Sequence, residues 1–157
     1  MEIELNKETK INQIDFKNLS FGETFSDHMF ICEYLDGKWI DPKITPYKPI
    51  SLDPSVSALH YGQSVFEGMK AYKDNNGKVW LFRPKENWER LNKSCKRMKI
   101  PEVPEEYFIN GLKKLISIDS NWVQPGLGNS LYIRPFVFAS QATVQASPSN
   151  EYKFIIF

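Results

Sequence analysis

The sequence predicts an α+β domain, a mainly antiparallel sheet packed with two helices, and three observations predict it. Two-residue turn signals, Asp36-Gly37 and Asn76-Gly77, follow runs rich in β-branched and aromatic residues, which is the signature of hairpins. Two later segments place apolar residues at helical spacing: Trp88, Leu91, Cys95 and Met98, then Phe108, Leu112, Leu115 and Ile116. Of the 157 residues 41% are hydrophobic and 14% aromatic, enough to bury the core of one domain.

Taken in order, residues 1–20 are polar and read as an arm or a peripheral strand, leaving 21–157 as the domain body. His28–Tyr34 is a strand, and Asp36-Gly37 turns it back. The proline-rich stretch 42–54 is expected to be an irregular connector. Val65–Lys73 reads as one strand, returned by Asn76-Gly77 into 79–82. Pro84 suits the first position of a helix, with Glu86 in its first turn. A second helix begins near Pro104, where Glu105 and Glu106 complement the dipole. Residues 123–130 are loop, 131–140 a strand whose Pro135 suggests an edge or a bulge, 141–150 a polar loop, and 151–157 a last strand. That strand stops inside an apolar run, so the chain reads as the truncated part of a longer protein.

Several function classes start low. Lys+Arg total 20 against Asp+Glu 19, so no basic excess marks a nucleic-acid or anionic-membrane surface. No apolar run reaches the ~20 residues of a membrane span, and the N-terminus lacks a signal-peptide core. Cys32 and Cys95 show no metal or redox spacing and read as buried thiols of a cytoplasmic protein. Two histidines are too few to suggest a metal site.

Two strands carry candidate chemistry. On Val65–Lys73, alternation puts Phe66, Gly68, Lys70 and Tyr72 on one face and Val65, Glu67, Met69 and Ala71 on the other. Gly68 marks either a ligand's close approach or a packing or bulge position. On 131–140, Tyr132, Arg134, Phe136 and Phe138 share a face. Arg134 among aromatics needs a partner, whether a ligand carboxylate, an acid such as Glu67, or solvent. Arg90 lies one residue from the buried stripe, placed to reach a phosphate or to snorkel to water. No nucleophile elbow and no glycine-rich phosphate loop is present.

Four ordered blocks, FGETFSDHMF (21–30), SALHYGQSVFEGMKAY (57–72), LFRPKENWERLNKSCKRM (81–98) and SLYIRPF (130–136), resemble the branched-chain amino acid aminotransferases. These are pyridoxal-phosphate (PLP) enzymes of fold type IV, and the resemblance implies their N-terminal small domain. It implies that Arg90 binds the cofactor phosphate, that Phe21, Phe66 and Gly68 wall the substrate pocket, and that Tyr132 and Arg134 serve its carboxylate end. Tyr61, Val144 and Ala146 are then contributed across a homodimer interface. The implied substrates are Leu, Ile and Val with 2-oxoglutarate. The family's cofactor-bearing lysine lies in a second domain beyond residue 157, so no catalytic residue is assigned here and Lys70 takes no covalent role. A D-amino acid aminotransferase, an aminodeoxychorismate lyase or a non-catalytic binding domain are the alternatives.

Overall fold

Asp36 and Gly37 both take positive φ (49° and 78°), as a tight hairpin requires, and join β2 (His28–Leu35) to β3 (Lys38–Pro46). A computed structural model describes residues 1–157. The short strand β1 (Glu2–Ile3) adds to the β3 edge in parallel. With β4 (Ser64–Phe66), β8 (Pro135–Ala139) and β9 (Tyr152–Ile156) they form a six-stranded sheet of order β1-β3-β2-β9-β8-β4, antiparallel except at β1. A second sheet, β6-β5-β7, comprises β5 (Met69–Lys73), β6 (Val79–Leu81) and β7 (Leu131–Ile133).

Helices α2 (Pro84–Arg97) and α3 (Glu105–Ile118) pack on one face of the large sheet. From α3, Phe108, Leu112, Leu115 and Ile116 are buried as their spacing predicts. Gly111 completes that face, because a Cβ there would lie 2.8 Å from the Phe30 ring. Leu91 and Cys95 of α2 are fully buried, and Asn92 ties the helix to the next connector by bonding both the N–H and the C=O of Val103. The opposite sheet face carries a smaller cluster of Met29, Ile31, Phe138 and Ile155. No helix is long and apolar enough to cross a membrane.

Five expectations need correction. The connector predicted from residue 42 is strand as far as Pro46. Pro42 is accommodated because Asp41 and Pro42 together face Cys32 in a bulge, with Asp41 at φ 51°. Ser57–Tyr61 forms a short helix, α1, closed by Gly62 at φ 66°, where no element was expected. Met98 caps α2 and is exposed, because the helix ends before its side chain turns inward. Val65–Lys73 and residues 131–140 are each two strands in different sheets, changing sheet at Glu67-Gly68 and at Arg134. Pro135 is neither at an edge nor in a bulge, since β8 lies between β9 and β4. It is tolerated as the strand's first residue, where a missing N–H costs least.

Residues 6–10 are pinned to the domain by buried polar groups. Asp27 accepts from Thr9 Oγ1 (2.5 Å), the Lys10 N–H (3.0 Å) and Trp122 Nε1 (2.9 Å). The Asn6 N–H donates to His28 Nε2 (2.9 Å), so the other ring nitrogen carries hydrogen and donates to Asp119 (2.7 Å). This ties down the chain entering residues 19–26, which wall the site.

Candidate functional site

The two sheet changes lie side by side. Ser64–Phe66 pairs with Phe136–Phe138 in the large sheet and Met69–Ala71 with Leu131–Ile133 in the small one, and the Glu67 N–H bridges them by donating to the Pro135 carbonyl (2.8 Å). Alternation survives the break: Val65, Glu67, Met69 and Ala71 are buried, while Phe66, Lys70 and Tyr72 are exposed. The outward face gathers Phe66, Gly68, Tyr132 and Arg134.

Arg134 forms no salt bridge. Its guanidinium stacks over the Phe66 ring at 4.2 Å, and Nη2 donates to the Tyr132 hydroxyl at 2.9 Å. The contact with Glu67 that residue types allowed does not form, because Glu67 points into the protein toward Arg90. The Tyr132 hydroxyl, accepting from Arg134, keeps its own hydrogen to donate. Phe21 packs edge-on against Tyr132 with centroids 5.1 Å apart. An open groove of about 550 Å³ runs here, lined by Phe21, Phe25, Tyr132, Arg134 and Phe157 among others. It joins apolar walls to a cation without an anion, the composition that receives an amphiphilic carboxylate.

Gly68 is explained by its neighbour. A Cβ would lie 3.1 Å from Tyr132 Cζ and closer still to the hydroxyl, so the absent side chain admits the tyrosine to its bond with Arg134. A second hollow of about 260 Å³ adjoins, lined by Gly68, Lys70, Tyr72, Phe82, Asn87 and Tyr132. Lys70 is exposed and forms no salt bridge.

Arg90 projects from α2, and its Nε and Nη2 each donate to the Glu67 carboxylate at 2.7 Å. Glu67 is only 4% exposed and also accepts from Asn87 Nδ2 at 2.9 Å. Burial pushes its carboxyl up, but the bonds from Arg90 and Asn87 and the guanidinium charge outweigh it and hold the group below the usual carboxylate range. Arg90 is raised correspondingly by its bonds to Glu67. Neither Glu67 nor Asn87 was among the candidates from sequence. The available signal was the alternation, which puts a carboxylate among inward-facing residues, where it must find hydrogen-bond donors.

Tyr61, Val144 and Ala146 lie elsewhere. The Tyr61 hydroxyl donates to the Val144 carbonyl, joining α1 to the exposed loop that also carries Ala146, and none of the three lines the Arg134 groove.

Comparison with known proteins adds a context that geometry alone lacks. No family model matches the chain. It is 48% identical over 149 residues to branched-chain-amino-acid aminotransferase 2 of Bacillus subtilis (strain 168), an alignment covering 94% of this chain. The chain is similar to the N-terminal part of the branched-chain-amino-acid aminotransferases. It spans 41% of that relative's length. Among solved structures, the branched-chain aminotransferase of Thermoproteus uzoniensis with norvaline superimposes with a TM-score of 0.54 at 25% identity, covering 82% of this chain and 40% of that one. The Escherichia coli enzyme does so with 0.55 at 26%, covering 83% and 38%. The T.th. enzyme, complexed with N-(5'-phosphopyridoxyl)-L-glutamate, gives 0.54 at 29%, covering 80% and 39%. The mixed α+β architecture is thus that of the N-terminal domain of fold-type IV aminotransferases.

Proposed function

We propose that this chain is the N-terminal domain, residues 21–157 with an arm at 1–20, of a cytoplasmic, homodimeric branched-chain amino acid aminotransferase. In this reading the whole protein moves the amino group of Leu, Ile or Val to 2-oxoglutarate. One observation carries the site assignment: the unpaired Arg134 guanidinium, bonded to Tyr132, stands among the apolar walls Phe21 and Phe66. Buried against those walls, a branched side chain gains about 1.5–3 kcal/mol. The same cation is available to a carboxylate of 2-oxoglutarate, so one pocket serves both an apolar and an acidic substrate.

The residues present fit a pyridoxal phosphate bound at this site. Arg90 keeps three N–H groups beyond those given to Glu67, on an exposed edge suited to a phosphate monoester. Bound there, the cofactor supplies an electron sink for the substrate's Cα. This chain's residues bind and orient: Arg90 the phosphate, Tyr132 and Arg134 the carboxylate, Phe21, Phe66 and the Gly68 backbone the side chain. Lys70, exposed and without a partner, lends positive charge at the rim and forms no bond to the cofactor. Tyr61 with Val144 and Ala146 faces a second copy, the bond from the Tyr61 hydroxyl to the Val144 carbonyl fixing the loop that is presented.

The test is amino transfer by the full-length protein, reading glutamate formed from leucine and 2-oxoglutarate. Glutamate production that falls sharply in Arg134→Met supports the reading. Absence of any amino transfer from branched-chain substrates refutes it.

A further inference from the structure

The buried carboxylate behind Arg90 is not explained by packing. Glu67 is 4% exposed in a stretch whose other inward residues, Val65, Met69 and Ala71, are apolar. An apolar residue of similar volume would cost less to bury than an ion pair. Its partner is the opposite case: the Arg90 side chain is 66% exposed, and a long exposed arginine ordinarily samples many rotamers. We propose that Glu67 is a positioning residue that aims Arg90 at the cofactor phosphate, and that Asn87 fixes Glu67 in turn; this rests on the assignment of Arg90 made above.

The geometry is specific. Glu67 engages Arg90 side-on, taking Nε–H and one Nη2–H, both at 2.7 Å. The remaining Nη2 hydrogen and one Nη1 hydrogen form a parallel pair on the opposite edge that matches two oxygens of a phosphate, with the second Nη1 hydrogen beside them. Asn87 lies one turn before Arg90 on α2 and holds the second Glu67 oxygen, so the helix grips the carboxylate at two points. The strand end that carries Glu67 is fixed by its N–H on the Pro135 carbonyl. Because the carboxyl is held below its usual range, it stays ionised at neutral pH.

The charge arithmetic makes this testable by sign. Glu67 cancels the positive charge of Arg90 and by Coulomb's law opposes an approaching anion. If charge alone decided, Glu67→Gln would tighten phosphate binding; if positioning decides, it loosens it. The experiment titrates pyridoxal phosphate into the full-length apoprotein, following the absorbance of the bound cofactor, with inorganic phosphate as competitor. Expected are a marked loss in Arg90→Ala and a loss of about tenfold in Glu67→Gln, the scale of one charged hydrogen bond removed from a prepared site. In the Arg90→Ala background, Glu67→Gln should add nothing.

Unchanged or tighter binding in Glu67→Gln overturns the proposal while leaving Arg90's role standing. A Glu67→Gln loss that persists in full on top of Arg90→Ala also overturns it, since the defect then bypasses Arg90. Unchanged binding in Arg90→Ala overturns the underlying assignment and the proposal with it. Should Glu67→Gln fail to fold, Asn87→Ala decides the matter on the same titration, because it keeps the Glu67–Arg90 pair but removes the second donor to Glu67 Oε2: a loss of several-fold supports positioning and no loss refutes it.

Discussion

Replacing Gly68 by alanine probes the link between backbone and site most directly. The glycine is not at positive φ, so conformational strain contributes little and the effect isolates the space above its Cα. The new methyl would lie 3.1 Å from Tyr132 Cζ and 3.3 Å from Cε2, with the hydroxyl nearer still. These are atoms of a ring held at three sides, by Arg134 at 2.9 Å, by the Phe21 edge at 5.1 Å and by its own strand, so the ring must swing away. Overpacking of this kind costs about 1–3 kcal/mol. Losing the hydrogen bond to a charged group adds about 1.5–3 kcal/mol, partly recovered from water because Arg134 is only half-buried. On the proposed amino transfer the expected signature is selective: KM for amino acid and oxo acid rises about tenfold or more, one charged contact's worth, while cofactor affinity, assigned above to Arg90, stays within about twofold. The assay pairs steady-state kinetics on the full-length protein with urea unfolding. Tyr132→Phe in the same chain removes the nearest atom and should relieve part of the alanine's stability cost. Unchanged KM together with a stability loss below about 0.5 kcal/mol, the scatter of an ordinary surface substitution, would refute the idea that Gly68 exists to admit Tyr132.

Acid should act through Glu67. Its folded pKa is lowered, so its contribution is complete above the ordinary glutamate value of about 4.3 and is lost as pH falls through the lower folded value; the stability gap between wild type and Glu67→Gln should therefore close below about pH 4 in urea titrations. Burial pushes Cys32 and Cys95 up to about 12, so at pH 8 a thiol reagent should label neither in the native protein within minutes and both after unfolding. Asp27→Asn weakens the acceptor shared by Thr9, Lys10 and Trp122, and should cost about 1–3 kcal/mol while hydrogen exchange accelerates at residues 6–13.

Sequence periodicity reached the elements but not their breaks. The Asp36-Gly37 turn and the α3 stripe were legible because each is decided within a few residues: two positive φ angles in one case, one face of one helix in the other. The sheet changes at Glu67-Gly68 and Arg134 were not legible, because alternation continues straight through both. A period of two reports which side faces the core; it is silent about which neighbour the backbone bonds. The same limit explains Glu67. Residue types offered Glu67 as a partner to Arg134 and none to Arg90, and only the bend that turns Glu67 toward α2 gives the carboxylate to Arg90. Pro42 misled for a related reason, since its cost in a strand vanishes at a bulge that is set by the partner strand.

The bends also account for where the candidate site lies. Two antiparallel strands that leave one sheet together and join another must open a wedge on the convex side, while the concave side is pressed into the core. Val65, Glu67, Met69 and Ile133 occupy the pressed side and are buried; Phe66, Gly68, Tyr132 and Arg134 occupy the open one. Here Phe66 remains 62% exposed although its ring lies 4.2 Å from a guanidinium, and Arg134 can be held by aromatic faces without meeting an acid. The Glu67 N–H, donating to the Pro135 carbonyl, ties the two strands together at the bend. Held by aromatic faces and a hydroxyl and met by no acid, the half-buried guanidinium keeps N–H groups free to bond an anion.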